Sequence, residues 1–173
     1  DEDGNRSSLS YNELYVIAGS VATEFHKLGI GKGDRVAAIL PNIPEAIIAM
    51  LATTWLGAVW SSCSPDFGTD GILERFKQIE PKLLISCDGY KFKGKTYSTL
   101  AKTDSVRNQL KCKTVMISWL NIGKLPSSIG WKELINTKAP PPKFNQINFN
   151  DPIYILYSSG TTGKPKCIAH GAG

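Results

Sequence analysis

Short apolar runs alternate with amphipathic helical stretches through most of this chain, and no other feature restricts its fold as much. Arg35-Val-Ala-Ala-Ile-Leu40, Ala58 to Ser62, Lys82-Leu-Leu-Ile-Ser86 and Thr114-Val-Met-Ile-Ser118 are short, apolar and bounded by turn or helix signals. Such runs read as buried strands. Between them the apolar residues recur at helical spacing. Leu14, Ile17, Ala18, Val21, Ala22, Phe25 and Leu28 form the first stripe, opened by Ser10 with Glu13 three residues on, a capping box, and closed by Gly29 and Gly31. Pro44 starts a second helix through Ala46, Ile47, Met50, Leu51 and Leu56, a third spans about Asp70 to Ile79, and a weaker fourth runs from Leu100 to Leu110. The alternation predicts an α/β fold, a mostly parallel sheet with helices on both faces. Asn121 to Asn150, with Pro140-Pro-Pro142, reads as an irregular excursion carrying one short helix near Trp131 to Ile135.

The composition is that of an ordinary globular domain: 173 residues, 42% hydrophobic, 20% charged. A net charge of +5 with scattered basic residues forms no nucleic-acid stripe and suits anionic small molecules instead. Cysteines 63, 87, 112 and 167 form no Cys-x-x-Cys pair and have no neighbouring histidine, so reduced thiols of a cytosolic protein are expected rather than a zinc site. The longest apolar run, Ala46 to Trp60, is shorter than a membrane span and is interrupted by Thr53, Thr54 and Gly57. No signal peptide is visible, the first residue is Asp1, and the last, Gly173, follows soon after a chemically rich loop. Both ends read as cut, and the chain is expected to be one partial domain, 1–173, of a longer protein. Nothing in the composition bears on oligomeric state.

That loop is Tyr157-Ser-Ser-Gly-Thr-Thr-Gly-Lys-Pro-Lys166, behind the apolar strand Pro152-Ile-Tyr-Ile-Leu156. Gly160 and Gly163 let a backbone come close to an anion, Ser158, Ser159, Thr161 and Thr162 add hydroxyl donors, and Lys164 and Lys166 add charge. Such chemistry suits a polyphosphate, although Gly, Ser and Thr also fill ordinary flexible loops. It is not a Walker A loop. Two residues, not four, separate the glycines, and Pro165 follows Lys164 where Ser or Thr is required, which counts against a kinase or ATPase module. A non-catalytic binding or structural fragment remains a further alternative. In a parallel sheet, ligands lie beyond the carboxyl ends of strands. The 158–166 loop leaves its strand there, as do Cys63-Ser-Pro-Asp-Phe67 and Asp88-Gly-Tyr-Lys-Phe-Lys-Gly-Lys95, so the three can share one crevice.

The loop resembles the phosphate-binding signature of the adenylate-forming superfamily, which includes acyl-CoA synthetases, luciferases and peptide-synthetase adenylation domains. That pattern runs aromatic, Ser/Thr, Ser, Gly, Ser/Thr, Thr, Gly, any residue, Pro, Lys. The chain matches it from Tyr157 to Gly163 and at Pro165 and Lys166, and departs at Cys167, where Gly is usual. Within the superfamily, Gly57-Ala-Val-Trp-Ser-Ser-Cys-Ser-Pro-Asp-Phe-Gly68 is similar to the acetoacetyl-CoA synthetase branch, with acetyl- or propionyl-CoA synthetases as the alternative; read alone, it is a strand end and a turn. The resemblance implies the early part of a large N-terminal domain. It implies ligation of acetoacetate to coenzyme A at the expense of ATP, which Mg²⁺ accompanies, with Ser158, Ser159, Gly160, Thr161, Thr162, Gly163, Lys164 and Lys166 on the ATP phosphates. It also implies Lys91 and Lys95 on the 3′-phosphate of coenzyme A, where related acetyl-CoA synthetases carry two arginines. As bare residues, Lys91, Lys93 and Lys95 equally describe a solvated turn. The adenine- and ribose-binding segments, the hinge and the catalytic lysine of the superfamily are expected beyond Gly173, so the isolated chain is expected to be inactive. No metal ligand and no catalytic side chain is assigned within it. His170 and the thiols of Cys63 and Cys167 show no nucleophile–base pairing.

Overall fold

The computed structural model describes residues 6–137, 140–158 and 163–173. The first helix, α1 (Tyr11–Lys27), starts at the capping box expected from the sequence. The Glu13 amide donates to Ser10 Oγ at 3.2 Å and the Ser10 amide donates to Glu13 Oε2 at 2.7 Å. Strand β1 (Arg35–Ile39), helix α2 (Pro44–Trp55, with Pro at its start), strand β2 (Val59–Cys63), helix α3 (Thr69–Ile79) and strand β3 (Leu83–Cys87) follow. A hairpin of β4 (Gly89–Phe92) and β5 (Lys95–Ser98) leads into α4 (Leu100–Leu110), β6 (Lys113–Ile117), β7 (Ile129–Gly130), α5 (Trp131–Ile135), β8 (Pro152–Ser158) and β9 (Lys166–Gly171).

The seven-stranded sheet has the order β7-β6-β3-β1-β2-β8-β9. Every pairing from β7 to β8 is parallel, and only β9 runs antiparallel, against β8. Alternate residues of β1 feed two cores. Val36 and Ala38 pack with α1, α2 and α5, while Ala37 and Ile39 pack with Ile72, Phe76 and Val106 of α3 and α4. Helices therefore cover both faces, and strands β1 and β3 at the centre are almost wholly buried. The helix after β1 and the helix after β2 go to opposite faces, which makes the carboxyl ends of these neighbouring strands a topological switch point, the place where ligands of such sheets bind.

Local chemistry sets the joints. At the end of α3, Glu80 adopts φ 45°, and the Arg35 guanidinium donates to the carbonyls of Ile79 (2.6 Å) and Glu80 (3.1 Å), satisfying the last turn. Gly57, at φ 67°, turns α2 into β2 where a Cβ would press on Asn145 and Ile147. The excursion between β6 and β8 is pinned there: Trp55 Nε1 donates to Pro142 O at 2.7 Å, Asn145 Nδ2 to Leu56 O at 2.8 Å, and Phe144 stacks on Trp55.

Three elements differ from the sequence reading. Asp88 to Lys95 is not a loop but most of a hairpin, holding β4, the start of β5 and a turn of Lys93 and Gly94 at φ 50° and 71°, as a two-residue type I′ turn requires. Tyr157 and Ser158 belong to β8, and Lys166 opens β9, so only 159–165 connects them. Strand β9 has no counterpart in the reading because all its residues are exposed, and no buried face marks it.

Candidate functional site

The carboxyl ends of β2, β3 and β8 lie on one edge of the sheet, since all three run parallel. Side chains of neighbouring helices reach the turn after β2. Arg75 of α3 lies over the Phe67 ring at 4.4 Å and faces the Tyr157 ring at 5.8 Å, joining the turn after β2 to the end of β8. Lys102 of α4 donates to Pro65 O of the same turn at 2.6 Å, and burial, followed by the charge of Asp66, raises the Tyr90 phenol on β4. The turn after β2 is thus joined through Arg75 to the end of β8 and through Lys102 to α4.

Tyr157, the aromatic that opens the Tyr157–Lys166 motif, is anchored from below. Ser61 Oγ donates to Ile155 O at 2.8 Å and lies 3.0 Å from the Tyr157 hydroxyl. With the serine proton committed to the carbonyl, the tyrosine hydroxyl is the donor in that second bond. Burial pushes the Tyr157 phenol up, so it stays a neutral donor. The strand therefore delivers the motif from a fixed point.

Ser158 is half-buried at the end of β8 and sits opposite Lys166 in the register. Gly163 has open space where a Cβ would be, and Lys164 and Lys166 are exposed. Lys164 lines a groove of about 440 Å³ along α3 with Asp70, Glu74 and Lys77. Pro165 is buried, and its carbonyl accepts from Gln78 Nε2 at 2.9 Å, which ties the returning arm to α3. Ser159, Gly160, Thr161 and Thr162 lie outside the described residues. The described parts fit an anion site: exposed cations, an open glycine and a hydroxyl, none of it packed into the core.

Lys91 and Lys95 are both exposed on the hairpin, but they do not share a face. The register pairs Lys91 with Thr96 and Phe92 with Lys95. Directly opposed residues point to one side of a ribbon and their neighbours to the other. Lys95 therefore stands with Phe92, Tyr90 and Tyr97, and Lys91 stands with Thr96 on the reverse.

One organising residue is hidden in the sequence. Asp88 is buried, and its Oδ1 accepts from the amides of Trp119 and Leu120 while its Oδ2 accepts from Ile122, each at 2.9 Å. Its own amide donates to Ile117 O at 3.0 Å, and its carbonyl accepts from the Thr99 amide at 3.1 Å. One carboxylate thus clamps the loop after β6 to the base of the hairpin. An acid after a buried strand was the only available hint, because its partners lie more than thirty residues away.

Cys63 and Cys87 are buried, and burial pushes both thiols up to about 12, so neither is a thiolate nucleophile. His170 is exposed on β9 opposite Tyr154. Among the described residues, no group of three or more His, Cys, Asp or Glu gathers to hold a metal ion, and no helix is long and apolar enough to cross a membrane.

Comparison with known proteins bears directly on this arrangement. A family model described as AMP-binding enzyme matches residues 2–173. Acetoacetyl-coenzyme A synthetase of Rhizobium meliloti (strain 1021) is 44% identical over 99% of this chain and 27% of its own length. A malonamoyl-CoA synthetase of Penicillium aethiopicum is 36% identical over 99% of this chain and 26% of its own length. Among solved structures, acetoacetyl-CoA synthetase from Streptomyces lividans superposes with a TM-score of 0.94 at 38% identity, over 99% of this chain and 27% of that one. The chain thus spans about a quarter of the length of these relatives. A match that runs from residue 2 to residue 173, with a fold of this closeness, means that the chain belongs to the AMP-binding enzyme family.

Proposed function

We propose that this chain is part of the N-terminal domain of an AMP-forming acid–thiol ligase, residues 1–173, and that the whole protein joins acetoacetate to coenzyme A. The reading is carried by one observation: the signature Tyr157 to Lys166 is borne on a strand-end hairpin of a fold that matches acetoacetyl-CoA synthetase from Streptomyces lividans with a TM-score of 0.94. In the proposed reaction a carboxylate oxygen attacks the α-phosphorus of ATP, taken as its magnesium complex, and pyrophosphate leaves. The thiol of coenzyme A then attacks the acyl carbon and AMP leaves.

Within this scheme Ser158, Ser159, Gly160, Thr161, Thr162, Gly163, Lys164 and Lys166 bind the β- and γ-phosphates, stabilising charge that accumulates on the leaving group. The tip of the β4–β5 hairpin, Lys91 to Lys95, meets the 3′-phosphate of coenzyme A. The remaining steps belong to the longer protein, and the chain alone does not turn over. Free thiols, two of them buried, support a reducing compartment, the cytosol.

The test is the Thr161→Ala, Thr162→Ala double variant of the full-length protein. Acetoacetate-dependent pyrophosphate release should fall by an order of magnitude or more, since one lost donor to developing charge costs about 2.7–4 kcal/mol. Unchanged release from a folded variant refutes the assignment. A second reading, a ligase for another short acid, draws on the malonamoyl-CoA synthetase match. Comparing kcat/KM across acetoacetate, malonamate, acetate and propionate decides between them.

A further inference from the structure

Strand pairing sorts the side chains of the β4–β5 hairpin in a way that the order of lysines in the sequence does not show. Phe92 lies directly across from Lys95 and Tyr90 across from Tyr97, and these four share one face. The two tyrosine rings stack with centroids 5.4 Å apart. At the turn, the Lys93 ammonium lies 5.2 Å from the centroid of the Phe92 ring, which brings it to the same side. Phe92 and Tyr97 are 49% and 40% exposed, large values for aromatic side chains, and neither belongs to either buried core. Lys91 stands with Thr96 on the reverse face.

We infer that the face carrying Phe92, Lys93, Lys95 and Tyr97 takes the phosphorylated adenosine end of coenzyme A, and that Lys93, rather than Lys91, is the partner of Lys95 on its 3′-phosphate. This rests on the proposed assignment of the hairpin to coenzyme A and decides which of its residues act. Two ammonium groups beside exposed rings match a purine that carries a monoester dianion: the rings offer a flat apolar surface to the base, and the lysines sit at its rim. Lys91 and Lys95 would instead have to reach one phosphate around opposite sides of the ribbon. The hairpin can hold this face in place because its base is clamped by Asp88, and its Lys93-Gly94 turn fixes the tip.

The experiment compares coenzyme A with dephospho-coenzyme A, which lacks only the 3′-phosphate, using Lys91→Ala, Lys93→Ala and Lys95→Ala in the full-length protein. For each, the quantity read is kcat/KM for coenzyme A divided by kcat/KM for dephospho-coenzyme A. Lys93→Ala and Lys95→Ala should each lower that ratio about two- to fivefold, the size expected for losing one solvent-screened charge contact, and by more than Lys91→Ala does. Phe92→Ser should lower kcat/KM for both thiols alike, since both carry the adenine. A larger drop for Lys91→Ala than for Lys93→Ala overturns the face assignment while leaving coenzyme A on the hairpin. An unmoved ratio in all three lysine variants overturns the hairpin assignment itself. Parent-like values for both thiols in Phe92→Ser remove the ring platform.

Discussion

The centre and the edge of this one sheet are built from different materials. Strands β1 and β3 are covered by helices on both sides, with Val36, Ala37, Ala38, Ile39, Leu83, Leu84 and Ile85 sealed from solvent. At the other end, β9 is exposed along its whole length, and Leu156 and Ile168 are 52% and 45% exposed. The same backbone ladder continues through both, but only the centre has side-chain cover. The contrast separates scaffold from edge: the buried strands fix where the carboxyl ends point, while Tyr157, Ser158 and Lys166 stand on the β8–β9 hairpin. The described ends of the Tyr157–Lys166 segment are held by specific anchors, Tyr157 on Ser61 and Pro165 on Gln78, with Tyr157 also packed against the core and Pro165 buried.

The largest test of this contrast is a pair of truncations. Phe76→Ala removes a fully buried ring between α3 and the sheet and should destabilise the protein by about 3–5 kcal/mol. Ile168→Ala on β9 should stay within about 0.5 kcal/mol. Urea unfolding of both variants measures the difference. Similar losses would mean that the edge hairpin is packed like the core, and the contrast would collapse.

A smaller loss is expected at Asp88, which joins the buried scaffold to the exposed β4–β5 hairpin. Asp88→Ala leaves three backbone amides without their acceptor and should cost about 3 kcal/mol, because hydrogen bonds to a charged group contribute about 1.5–3 kcal/mol each and water recovers part of the loss. Asp88→Asn, which keeps an acceptor oxygen, should lose about half of that. Hydrogen exchange should accelerate at Trp119, Leu120 and Ile122 first. Unaltered exchange at those amides would show that the clamp is redundant.

The gentlest probe is thiol reactivity. A thiol reagent at pH 8 should modify exposed Cys167 on β9 well before buried Cys63 and Cys87. The sign of the accompanying pH effect follows from burial, which favours the neutral thiols and lifts both to about 12. Their contribution to stability is full below the unfolded value of about 8.5 and is lost as pH rises from there toward the folded value. Stability should therefore decline across that alkaline window, less steeply in a Cys63→Ala, Cys87→Ala variant. Equal labelling of all thiols in the folded protein would contradict the covered centre.

The elements that could be read in advance are those whose information is local. Ser10 and Glu13 announce α1 because both partners of the capping box lie within one turn, and the apolar runs of β1, β3 and β6 announce buried strands because two covered faces leave no polar position. The Tyr157–Lys166 motif was legible for a similar reason: its glycines, hydroxyls and lysines are contiguous. The β4–β5 hairpin left a fainter trace, Tyr90 and Phe92 set against Tyr97 across Lys93-Gly94, which the dense lysines disguised as a solvated turn.

Order along the chain was enough to settle helices and buried strands, since periodicity and turn residues act over a few positions, and it set glycines, hydroxyls and lysines side by side in one segment. It was silent on β9, whose strand character comes from pairing with β8 and not from a face of its own. Nor could it show that Arg75 would bridge Phe67 and Tyr157, or that Asp88 would collect amides from the loop after β6. The division of the three lysines between two faces was equally out of reach, because a side chain's direction on a ribbon depends on where the turn falls and thus on the register of the partner strand. Contacts between distant segments form only when the sheet brings them together, and tertiary packing alone decides which groups then share a site.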